Sequence, residues 1–66
     1  MNEYNMFRIE MVNEILLGVA ELRYYKVNIN NDYGRPSYLN LLSDMDLERI
    51  YNQISDKLKE VKVAYK

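Results

Sequence analysis

The chain has 66 residues, nine of them basic and ten acidic, a formal charge of −1, and neither cysteine nor histidine. That length supports one domain at most, and the two missing residue types exclude disulfides, thiolate or imidazole metal sites and the commonest general base. A domain so small buries only about 60% of the surface its unfolded chain exposes, so pairing with a second copy is the expected supplement to the core.

Residues 3–25 read as a first helix. Projected at about 100° per residue, Tyr4, Phe7, Ile9, Met11, Val12, Ile15, Leu16, Val19 and Leu22 cover half its circumference or more. Glu3, Glu10, Glu14 and Glu21 form an acidic strip opposite, with Met6, Leu17 and Tyr24 beside it on the wet side. So wide an apolar face requires more than one neighbour. Gly18 sits mid-helix, where glycine costs up to about 1 kcal/mol relative to alanine; simple tolerance is slightly preferred over close approach of another helix.

Residues 26–42 form a connector. Tyr25-Lys26-Val27-Asn28-Ile29 alternates like a short strand, and Asn30-Asn31-Asp32 is turn chemistry. Gly34 and Pro36 interrupt any helix, and Pro36 restricts Arg35 before it. Ser37–Leu42 is compatible with one helical turn that docks Leu39, Leu41 and Leu42 on the core. Whether the segment forms a hairpin or such a turn is left open. Its length exceeds the usual helix–helix connection of about 2 to 8 residues, a mark of functional or mobile segments.

Residues 43–65 are the clearest helix. Ser43 is a suitable N-cap, and Asp46 stands where an acidic side chain can reach back to it. Asp44, Asp46 and Glu48 crowd the first turn while Lys57, Lys59, Lys62 and Lys66 crowd the end, complementing the helix dipole. Leu47, Tyr51, Ile54, Leu58, Val61 and Tyr65 make a heptad-type seam, widened by Ile50.

These elements predict a mostly all-α fold with one domain over 1–66. The expected architecture is a helical hairpin with a long, partly structured connector, dimerising into a four-helix arrangement. No apolar run approaches the ~18 residues of a membrane span. The N-terminal residues lack the basic start and apolar stretch of a secretory signal, which favours the cytoplasm. Phe, Tyr, Met, Ile, Asn and Lys make up close to half the chain, a coding bias associated with low-GC bacteria, their phages and plasmids.

Chemistry for an enzyme is not found. Nucleophile–base pairs relying on His or Cys are excluded, and two glycines cannot build a phosphate cradle. The i,i+4 pairs Glu10/Glu14 and Asp44/Glu48 read as solvated acidic faces rather than cation sites, so neither metal nor cofactor is expected. Arg49, Lys57, Lys59, Lys62 and Lys66 give the second helix a basic half. Asp56 and Glu60 offset it, and nucleic-acid binding is disfavoured without clustered charge. The acidic strip of the first helix is likewise read as an ordinary wet face rather than a mimic of DNA phosphates.

Seven tyrosines in 66 residues point to recognition instead. Tyr and Arg are enriched at interfaces, where they bury large area and keep a polar handle. Tyr24, Tyr25, Tyr33, Arg35 and Tyr38, together with Leu17 and Met6, form the candidate partner-binding set. The competing reading, given equal weight for the tyrosines, is that the rings cap the open end of a small bundle.

The stretch Leu42-Ser43-Asp44-Met45-Asp46-Leu47, with Tyr51, Lys57, Leu58, Glu60 and Val61, resembles one helix of the Hha/YmoA family. The resemblance implies a small modulator that binds the oligomerisation region of a DNA-silencing protein. It covers under a third of the chain. Residues 1–41 do not match that family's basic beginning, and Ser55 stands where the family has an acidic residue. The chain is not assigned to the family. The function expected is a non-enzymatic interaction module, a regulator or inhibitor that binds a larger bacterial protein. The alternatives are a small dimeric nucleic-acid-binding protein and a structural subunit of a larger assembly.

Overall fold

A computed structural model describes residues 3–64, and the side chains from Met6 onward. The fold is mostly helical and, among the described residues, contains no strand. Helix α1 spans Glu3–Tyr24, a 3-10 turn Asn31–Gly34, α2 Pro36–Leu39, and α3 Asp44–Ala64. Predicted features at Tyr65 and Lys66, and those resting on the side chains of Glu3 and Tyr4, lie outside what is described.

Helix α1 stops without glycine. Lys26 takes φ 62°, in the left-handed region. The Lys26 amide donates to the Arg23 carbonyl at 2.9 Å and the Val27 amide to the Leu22 carbonyl at 3.0 Å. These two bonds make a Schellman motif, which closes the helix end by pairing its last carbonyls. Of the apolar pair that accompanies such a motif, Leu22 lies in the core cluster and Val27 packs against it.

The connector then alternates as its sequence suggests. Val27 and Ile29 are half-buried while Lys26, Asn28 and Asn30 face solvent, but no second strand pairs with it. Asn30 caps the 3-10 turn, its side-chain oxygen accepting from the Asp32 amide at 2.9 Å. Arg35 is extended, as the residue before a proline must be, and Pro36 opens α2 at its first turn. The open choice between hairpin and helical turn is thus resolved as helical. Leu39 is fully buried and Leu42 packs on the core. Leu41, expected to dock with them, is 85% exposed, because a single helical turn cannot aim three nearly consecutive side chains one way. Ser43 caps α3 as predicted, its Oγ accepting from the Asp46 amide at 3.2 Å.

The hairpin expectation is corrected by the contacts between the long helices. Arg8 pairs with Asp44, Gly18 lies against Ile54 and Leu58, and Glu21 meets Lys62 at 3.0 Å. Position numbers rise together along both helices, so α1 and α3 run parallel. The connector is the crossover that makes this possible. From Tyr24 back to the level of Arg8 is about 24 Å at 1.5 Å per residue, beyond the short loops that join antiparallel neighbours. Leu39, Val27, Ile29, Tyr33 and Leu42 anchor that return path on the core.

The core is the shared product of all three helices. Val12, Ile15, Val19 and Leu22 of α1 meet Leu39 of α2 and Leu47, Ile50 and Ile54 of α3. No polar or charged residue is buried among the described residues. The expected tolerance of Gly18 is also corrected: a β-carbon there would overlap Ile54 Cγ2, so glycine is what admits the Ile54 side chain against α1.

Candidate interaction surface

Helix α1 is packed on two sides, against α3 and against the connector, yet it still presents apolar side chains to solvent. Met6, Phe7, Ile9 and Leu17 are between 41% and 65% exposed. Ile9 lies on the far side of the connector contact, whereas Phe7 and Leu17 border α3. One chain does not cover the face that the sequence makes apolar.

The seam between α1 and α3 has two flanks. On the first, away from the connector, Phe7, Glu10, Met11, Glu14 and Tyr51 line one hollow of about 240 Å³. Leu17, Gly18, Glu21, Ser55 and Leu58 continue the same flank, with Glu14, Tyr51 and Ile54 shared or adjacent. The flank is therefore mixed: Phe7, Met11, Tyr51, Leu17 and Leu58 are interleaved with Glu10, Glu14 and Glu21 of α1. On the second flank, α3 and the connector enclose a groove of about 470 Å³. Its floor is Leu22, Ile29 and Ile54, and Tyr33, Gln53 and Lys57 stand at its rim.

The structure divides the predicted partner-binding residues. Tyr24 and Tyr25 form an edge-to-face pair with ring centroids 5.2 Å apart, Tyr24 being 80% exposed. Tyr33 and Tyr38 are half-buried and pack on the core, while Arg35 is exposed and lies 3.5 Å from the Asp32 carboxylate. Leu17 belongs to the first flank and Tyr33 to the second, so the set is not one continuous patch. It splits because the crossover carries Tyr33, Arg35 and Tyr38 along the side of α1 away from Leu17. Of the seam residues, Leu47 and Ile54 are buried, and Tyr51, Leu58 and Val61 are half-buried against the core. Met6 is exposed on α1.

Arg8 is the residue that the sequence reading passed over. Its guanidinium bonds the Asp44 carboxylate and donates to the Leu42 carbonyl at 2.7 Å and the Asn40 carbonyl at 3.4 Å. One planar fork thereby ties the start of α1 to the exit of the connector and the entry of α3. The signal was present: projected on α1, Arg8 falls between Ile15 and Val19, and a charge within an apolar arc demands a partner.

Three basic side chains of α3 lie near carboxylates. Arg49 reaches Asp46 at 3.4 Å, Lys57 reaches Glu60 at 3.8 Å and Lys62 reaches Glu21. Among the described residues, no three metal-ligating side chains come together, and no buried side-chain polar atom lacks a partner. Among the described residues, no helix is long and apolar enough to cross a membrane. The chain matches no family model, no curated protein and no solved structure.

Proposed function

We propose that this chain is a non-enzymatic interaction module that self-associates and holds a larger protein, acting as a regulator or inhibitor. The observation that carries this reading is the apolar exposure on α1: Met6, Phe7, Ile9 and Leu17 face solvent on a helix already packed on two sides. The surface area supports it. A folded monomer of 8.0 kDa is expected to expose about 4,450 Å², and this chain exposes 5021 Å². A formal charge of −1, with Asp56 and Glu60 interspersed among the lysines of α3, favours a protein partner over a nucleic acid, whose phosphates need clustered basic charge.

Tyr24 and Arg35, like Met6 and Leu17, are members of the predicted partner-binding set that are exposed and outside the core, so they can be altered without touching it. The test is recovery of a partner on the immobilised chain, compared with a Tyr24→Ala, Arg35→Ala double variant of unchanged helicity. Loss of at least about tenfold in apparent affinity is expected, the scale for removing interface aromatic and arginine anchors. Equal recovery by the double variant would contradict a role for these residues, and no recovery by either would contradict the larger-protein reading.

A further inference from the structure

We draw no further inference here: the strongest candidate, the exposed apolar surface of α1 formed by Met6, Ile9, Leu17 and Tyr24, carries none because nothing in the structure shows what covers it.

Discussion

Gly18, Lys26 and Tyr38 show how far a residue's meaning depends on what stands opposite it. In sequence, Gly18 is a mild defect in a helix; in the fold it faces the branched side chain of Ile54, whose Cγ2 has no room for a β-carbon. Gly18→Ala raises helix propensity by up to about 1 kcal/mol but overpacks the contact, which costs typically 1–3 kcal/mol. A net loss of about 1 kcal/mol is expected in urea unfolding; a gain would contradict the close approach. Lys26 carries the opposite lesson. Its left-handed backbone costs a side-chain-bearing residue roughly 1–2 kcal/mol, and glycine is free of that strain. Lys26→Gly should therefore stabilise the chain by about 1 kcal/mol, raising Tm by about 4–8 °C. No change in Tm would contradict the Schellman end of α1. Nothing in the sequence flags Lys26, because the usual glycine is missing there. Tyr38, read from composition as a surface recognition residue, packs on the core, and its replacement tests stability as much as binding.

The elements themselves were the most legible part of the chain. The boundaries of α3 follow from Ser43 as cap and from the seam Leu47, Ile54 and Leu58, since capping and periodicity are local properties. Their mutual direction is not local. A heptad-type stripe packs on a parallel or an antiparallel neighbour equally well, and the clue lay in the long connector, which a hairpin does not need. Arg8 turns that clue into a fixed arrangement by joining α1 to the carbonyls of Asn40 and Leu42 and to Asp44. Removing it leaves a carboxylate and two carbonyls of the connector exit without their shared donor. Hydrogen bonds to charged groups are worth about 1.5–3 kcal/mol, so Arg8→Ala is expected to lower stability by about that amount. The loss of hydrogen-exchange protection should be greatest around α2 and the first turn of α3. Uniform loss across all helices would contradict the clamp. Arg8→Lys should recover only part of the stability, since one ammonium cannot replace a planar fork.

At the scale of the whole molecule, parallel helices and a crossover produce an elongated body. A compact chain of this length has a radius of gyration near 10.8 Å, and this one has 12.3 Å. The core draws on all three helices, but the breadth of the apolar arc on α1 exceeds what α3 and the connector cover. That excess was legible in the sequence as an arc of half a turn or more, and it is the reason a partner was expected at all. Which flank remains open was not legible, because it depends on the side by which the connector returns. With Tyr33, Arg35 and Tyr38 carried to that side, the flank bearing Leu17 and Phe7 is left clear of the connector.

The most direct measurement is the solution mass by light scattering after gel filtration, across a concentration series, with circular dichroism on the same fractions. A helical species of twice the 8.0 kDa chain mass is expected, giving way to a less helical monomer on dilution as association and folding are linked. A monomer that keeps its full helical signal at every concentration would show that the open flank of α1 and α3 needs no second copy, and would contradict the dimer.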